Sequence, residues 1–224
     1  MTHQPINSAP IFITGIGTGV GKTLVAAIVA KALDMDYWKP VQAGMDGGTD
    51  SEWVRNMLQY GNNRVHEESY KLKTPASPHI AARYDGISVS LQKIRRDFEF
   101  IQRTSAADGR ALVVEGAGGL LVPLNEKDFV IDLVEKLGAR VILVSRNYLG
   151  SINHSLLTAT VSRMRNLQVM GWIFNDQYLD YEDEIVTWSG FPKLGSIPHA
   201  ASIDQTFIQD QGKIISGQLR TLLC

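Results

Sequence analysis

The ten residues TGIGTGVGKT, at 14–23, constrain this chain more than any other stretch. Their four glycines let the backbone take positive φ angles and come close to a ligand. The run follows the apolar segment IFIT at 11–14 and opens into KTLVAAIVAKAL, whose apolar spacing predicts a helix over 22–33. A strand, a glycine loop and a helix start together aim backbone N–H groups and the positive end of a helix dipole at one point. That arrangement suits phosphate, with Lys22 reaching the outer phosphates and Thr23 offering its hydroxyl to Mg²⁺. Five residues, 16–20, separate Gly15 from the Gly21–Lys22 pair, one more than the usual motif has. The plain alternative is a glycine-rich turn that holds nothing.

The rest of the chain repeats the strand–helix alternation. Apolar runs at 11–14, 37–40, 111–115, 140–145, 169–175 and 194–198 predict buried strands, and the segments 22–33, 50–60, 88–104, 128–137 and 151–165 predict helices. Such alternation predicts an α/β fold, a mainly parallel sheet with helices on both faces. At 224 residues, with no repeat or low-complexity linker, the chain reads as one domain over 1–224. Ligands of open parallel sheets gather beyond the carboxyl ends of the strands, so the rim expected to carry the site receives Thr14, Lys39, Glu115, Ser145, Asn175 and Pro198.

Composition narrows the partners. Lys plus Arg number 22 against 23 Asp plus Glu, so no overall field draws nucleic acid or anionic lipid, and any anion site must be local. No apolar run is long enough for a membrane span. The one cysteine, Cys224, excludes an internal disulfide and a multi-cysteine metal site, and fits a reducing compartment. The first ten residues lack a basic n-region and an apolar h-region, so a cytoplasmic protein is expected.

Around the loop stand several candidate partners. A carboxylate ending the strand at 111–115, Glu115, is costly to bury without a cation, and Mg²⁺ on a nucleotide takes one or two carboxylates. Asp50 in GGTDSEW is the other candidate ligand; it also reads as a helix N-cap, and Glu52 is the alternative. Lys39, between Trp38 and Pro40, reads as a site cation or a solvated lysine. Asn175 and Asp176 end GWIFND and suit either a base edge or a turn. His79, His154 and His199 share no metal-ligand spacing and read mainly as structural. A predicted helix start at Ser151 offers a second anion site, unless Ser151 caps that helix itself.

As a set, these residues resemble the dethiobiotin synthetases. The resemblance rests on the lengthened glycine loop, KPVQAG at 39–44, SPHIAA at 77–82, VEGAGG at 114–119, LGSINH at 149–154, GWIFND at 171–176 and LGSIPH at 194–199, in family order along nearly the whole chain. It implies a P-loop nucleotide hydrolase-like layer sandwich. It also implies a ligase that closes a ureido ring on 7,8-diaminononanoate with CO₂, ATP and Mg²⁺, through a carbamate and a carbamic-phosphoric mixed anhydride. Carried onto this sequence, the family's pattern places Gly19, Val20, Gly21, Lys22, Thr23 and Leu24 on the triphosphate. Thr23, Asp50 and Glu115 fall on Mg²⁺, with Lys39 as the catalytic lysine beside Lys22 and Thr18. Gly116, Ala117 and Gly118 border the nucleotide, and Asn175, Asp176, Pro198, His199 and Ala200 the adenine. Thr18, Ala43 and Gly118 border the diamine, while Gly150, Ser151, Ile152 and Asn153 receive its carboxylate across a homodimer interface. Two positions depart from some members: Gly19 stands where a glutamate occurs, and Ala43 where a serine occurs. The competing readings are another P-loop kinase or amide-forming ligase, a nucleotide-driven switch of the partitioning-ATPase kind, and an inactive binding protein. Against the switch stand the missing Asn-Lys-x-Asp signature and the missing second lysine early in the loop.

Overall fold

The computed structural model describes residues 9–61, 63–176 and 179–222. The leader reading rests mostly on residues 1–8 and the thiol reading on Cys224; both lie outside the described residues. In chain order the elements are β1 (Ile11–Gly15), α1 (Lys22–Leu33), β2 (Asp36–Trp38), β3 (Val41–Ala43), α2 (Asp50–Leu58), β4 (Val65–His66), β5 (Tyr70–Leu72), α3 (Pro78–Tyr84) and α4 (Leu91–Ala107). They continue with β6 (Leu112–Gly119), α5 (Val130–Leu137), β7 (Arg140–Arg146), α6 (Ser151–Met164), β8 (Gln168–Asn175), α7 (Glu182–Ser189), β9 (Lys193–Ile197) and α8 (Gln205–Thr221).

Seven strands form one sheet in the order β4-β2-β6-β1-β7-β8-β9, and every pairing in it is parallel. Alternate side chains enter two different cores, as the pleat requires. Ile11 and Ile13 pack with Val25 and Ile28 of α1 and Ile215 of α8, while Phe12 between them joins Val130 and Val134 of α5. Both faces are therefore covered, which explains why the strands read as continuous apolar runs. With β1 central and the chain winding outward to both sides, the crevice beyond its carboxyl end is where a ligand fits.

Several details differ from the sequence reading. β6 does not stop at Glu115 but carries GAGG on to Gly119, which pairs with Gly15. A Cβ on Gly119 would lie 3.0 Å from the Gly15 carbonyl oxygen, so the absence of side chains keeps these two strand ends together. The sequence reading had no place for α3, α7, α8, β4 or the small parallel β3–β5 sheet. α8 is dominated by polar residues, yet Ile208, Gly212, Ile215 and Leu219 make a buried stripe at helical spacing, and the helix docks on α1. Thr14 and Ser145, expected on the rim, are fully buried beneath it. Ser145 is turned into the interior, where its hydroxyl meets that of Ser155 at 3.0 Å. Among the described residues no helix is long and apolar enough to cross a membrane.

Candidate active site

The site begins with strand register. Trp38 of β2 lies opposite Val114 of β6, so the next residues, Lys39 and Glu115, emerge side by side at the carboxyl end of the sheet. Both are buried, with Lys39 5% and Glu115 1% exposed. A buried carboxylate needs compensation, and Glu115 has three donors: Lys39 Nζ at 2.7 Å and Thr23 Oγ1 at 2.9 Å on Oε1, and the Tyr37 hydroxyl at 2.7 Å on Oε2. Lys39 Nζ also reaches Asp50 Oδ2 at 2.8 Å, bridging the two carboxylates. Burial by itself lowers the Lys39 pKa, but Glu115 and Asp50 outweigh it and hold the ammonium above its ordinary value. Burial and the neighbouring Glu115 charge push the Tyr37 phenol well above its ordinary range, so it stays a donor.

Asp50 is free for this work because the helix cap is made by its neighbours. Thr49 is the N-cap of α2: its hydroxyl accepts from Glu52 N at 3.2 Å, and Glu52 Oε2 accepts from Thr49 N at 2.7 Å. The N-cap alternative for Asp50 is thereby corrected, and Glu52, spent on the cap, is not the carboxylate beside Lys39. Gln42 holds Asp50 from behind, its Oε1 accepting from Asp50 N at 3.2 Å.

On the opposite wall lies the glycine loop. Gly21, at φ 91°, is the N-cap of α1 and places no capping side chain over the first turn, which leaves that helix end open to an anion. A Cβ at Gly21 would lie 2.0 Å from Asn175 Nδ2, which donates to the Val20 carbonyl at 3.1 Å and supports the loop from below. Lys22 Nζ donates to the Gly17 carbonyl at 2.8 Å. Burial, reinforced by Lys39, lowers its pKa from 10.5 to about 8, although Glu115 pulls the other way.

Between these walls is a cleft of about 690 Å³. Thr18, Gly19, Gly21, Lys22 and Thr23 line it from the glycine loop, Lys39, Asp50 and Glu115 from the charged cluster, Ala43, Ala117 and Gly118 from the strand ends, and Val122 from the turn after β6. Val20 and Leu24 are buried, so any contact they make with phosphate is through the backbone. Gly116 also faces inward, with a Cβ there 2.7 Å from the Phe12 ring. Asp176 and His199 pair at 3.2 Å beyond the ends of β8 and β9, with Arg146 3.0 Å from Asp176. Pro198 is exposed and Ala200 partly exposed beside them.

Gly150, Ser151, Ile152 and Asn153 do not line the cleft. Gly150, at φ 105°, precedes α6, and Ser151 does not cap that helix. Its hydroxyl is fully buried against the Tyr181 hydroxyl at 2.8 Å, and its N–H is spent on the Tyr148 carbonyl at 2.9 Å. Ile152 and Asn153 lie in the first turn of α6, where backbone N–H groups have no partner within the helix. The sequence reading missed Tyr37, Gln42 and Thr49. Tyr37 stands two residues before Lys39 on the same strand face, which was the available signal. Thr49 was legible in TDSE at 49–52, a Thr-x-x-Glu capping pattern, while Gln42 was legible only once α2 was placed beside β3.

Thr23, Asp50 and Glu115 converge as hard oxygen donors, the kind Mg²⁺ prefers, and the Lys39 ammonium already sits between the two carboxylates as a cation. The donor set fits Mg²⁺ held chiefly by nucleotide phosphates. A parallel sheet with a glycine loop, lysine and open helix end at its central strand defines a P-loop nucleotide-binding α/β protein. Two solved structures share that fold: the MinC:MinD cell division protein complex of Aquifex aeolicus, with TM-score 0.58, 16% identity and 96% of each chain covered, and the ParA family ATPase of Chlorobium tepidum, with TM-score 0.53, 14% identity and 97% and 95% covered. A family model described as an AAA domain matches residues 9–206. The ATP-dependent dethiobiotin synthetase of Cytophaga hutchinsonii is 47% identical over 78% of this chain and 81% of its own length. That of Rhodopseudomonas palustris is 41% identical over 88% and 89%. The chain belongs to the dethiobiotin synthetase family.

Proposed function

We propose that this chain, acting as one domain and as a cytoplasmic homodimer, closes the ureido ring of dethiobiotin from 7,8-diaminononanoate and CO₂ at the expense of ATP. The observation that carries this reading is the cleft in which Lys22 and the open end of α1 face the Lys39–Asp50–Glu115 cluster. The loop amides and Lys22 bind the β- and γ-phosphates. Thr23, Asp50 and Glu115 would hold Mg²⁺, which when bound would neutralise charge on the phosphate oxygens. The lysines disfavour a further ammonium nearby, so the bound diamine keeps a neutral amine able to attack CO₂. The carbamate that forms is stabilised by the same cations.

Its oxygen attacks the γ-phosphate, the bond to the β-phosphate breaks and ADP leaves, giving the carbamic-phosphoric mixed anhydride, with Lys22 and Lys39 aimed at the charge that develops there. The second amine, held on the same molecule, attacks the activated carbonyl and expels phosphate, proximity supplying much of the rate. Thr18, Ala43 and Gly118 border the diamine, Ala43 through its backbone. The N–H groups of Ile152 and Asn153 from the second subunit take its carboxylate. Asn175, Asp176 and the 198–200 segment edge the base. The test is ADP release with 7,8-diaminononanoate and bicarbonate, against a panel of other amines and acids, with mass spectrometry of the product. Turnover confined to another acid or amine would replace this reading with a different P-loop ligase or kinase. Nucleotide-dependent partner binding without turnover would replace it with a switch.

A further inference from the structure

The two oxygens of Glu115 are not equivalent. Oε1 faces the cleft and meets Lys39 at 2.7 Å and Thr23 at 2.9 Å. Oε2 points away from it, into the protein, and accepts the Tyr37 hydroxyl at 2.7 Å. Tyr37 is 0% exposed, and its ring sits in the apolar core among residues such as Val65, Val113 and Leu58. Its place is set by register: Tyr37 pairs with Val113, so two residues further along the same face lies Glu115. Turning Glu115 to offer both oxygens to the cleft would strip the phenol of its partner in a dry interior, an expensive outcome.

The reaction proposed above gives Tyr37 nothing to do, since it touches neither cleft nor substrate. We propose that Tyr37 is a positioning residue that restricts Glu115 to a single-oxygen ligand and thereby makes the nucleotide-associated metal site select Mg²⁺ over Ca²⁺. The proposal rests on the reading of Glu115 as a metal ligand. Its chemistry follows from the two ions. Mg²⁺ is octahedral at about 2.0–2.1 Å, keeps several waters and is satisfied by one oxygen per carboxylate. Ca²⁺ takes about 6–8 oxygens at about 2.3–2.6 Å and gains from carboxylates that bind through both. A carboxylate with one oxygen pinned in the core serves the first ion fully and the second only in part.

The experiment titrates Mg²⁺ and Ca²⁺ calorimetrically into the full chain saturated with a non-hydrolysable ATP analogue, for the wild type, Tyr37→Phe and Glu115→Gln. The ratio of the Ca²⁺ to the Mg²⁺ dissociation constant is expected to fall about tenfold in Tyr37→Phe, the scale of one lost buried hydrogen bond. A folded Tyr37→Phe protein with the wild-type ratio overturns the proposal. Glu115→Gln distinguishes the two levels of the argument. If it binds both ions as the wild type does, the metal reading falls and this proposal with it. If it binds them weakly while Tyr37→Phe keeps its ratio, only the role of Tyr37 falls. A second measurement needs no variant: difference infrared spectra of wild-type protein carrying ¹³C-labelled glutamate, loaded with either ion. A one-oxygen carboxylate signature with both ions is expected, and a two-oxygen signature with Ca²⁺ overturns the proposal.

Discussion

Removing the charge of Lys39 while keeping its length, as Lys39→Met, tests the cluster at two levels. At 2.7 Å the Lys39–Glu115 attraction is about 6 kcal/mol at an effective dielectric constant of about 20. Desolvation of both ions offsets most of that, and breaking a buried pair from one side typically costs about 3–5 kcal/mol because the other charge is left behind. Here Glu115 keeps the Tyr37 and Thr23 donors, and Asp50, 36% exposed, regains water. The expected loss is therefore at the lower end, about 3 kcal/mol, read by urea denaturation at neutral pH. Adding Glu115→Gln, itself expected to cost about 2 kcal/mol, should not add that amount again, because the double variant buries no orphaned charge; a coupling of about 2 kcal/mol is expected. In the kinetic arm, turnover should fall by about 10² or more, as when a transition-state donor is removed. Nucleotide affinity should stay within about threefold, because the phosphate donors belong to the glycine loop. Additive stabilities within about 0.5 kcal/mol, or unchanged turnover, would refute the account of Lys39 as a buried, working cation.

Lys22 predicts an alkaline signature. Its folded pKa of about 8 lies below the ordinary 10.5, so burying its charge destabilises the nucleotide-free protein fully below pH 8, by about 3 kcal/mol, and that penalty fades as pH rises from 8 to 10.5. The stability difference between Lys22→Met and wild type should shift by that amount across this window in denaturation at several pH values; a flat difference would contradict it. Asp36 is the acidic counterpart at the far end of β2. Burial opposes its ionisation, but hydrogen bonds from His66, Ser105, Arg110 and Arg64 prevail and hold its pKa at about 2 against 3.8. It should contribute about 2 kcal/mol, fully present above pH 3.8 and lost as pH falls through 2, so Asp36→Asn should unfold more easily at pH 7 while keeping its turnover per folded molecule. Gly21→Ala should weaken ATP binding by more than about tenfold in equilibrium dialysis, because its φ of 91° is strained for alanine and its methyl would meet Asn175.

The phosphate loop, its helix and most of the strands were legible in the residues, because a glycine run between an apolar strand and an amphipathic helix is a local pattern, and so is a buried strand's apolar run. β1 through α1 appears almost residue for residue as the spacing predicts. α8 was not legible, since its buried stripe is thin and means something only against α1. Asp50 divides in the same way at the site: the Thr-x-x-Glu pattern at 49–52 already assigns the cap to its neighbours, but only the packed structure brings its carboxylate 2.8 Å from Lys39.

From the chain alone came the chemical inventory: a loop for phosphate, two lysines, two carboxylates and a family pattern that joins them. Which atoms meet was left to the packed molecule. Register between β2 and β6 sets Lys39 beside Glu115, and the pleat turns Tyr37 beneath it. Those contacts join residues 76 and 78 positions apart, and no local propensity encodes such a separation; it is the hydrogen-bond ladder between strands, fixed by burial on both faces, that selects one partner over its neighbours.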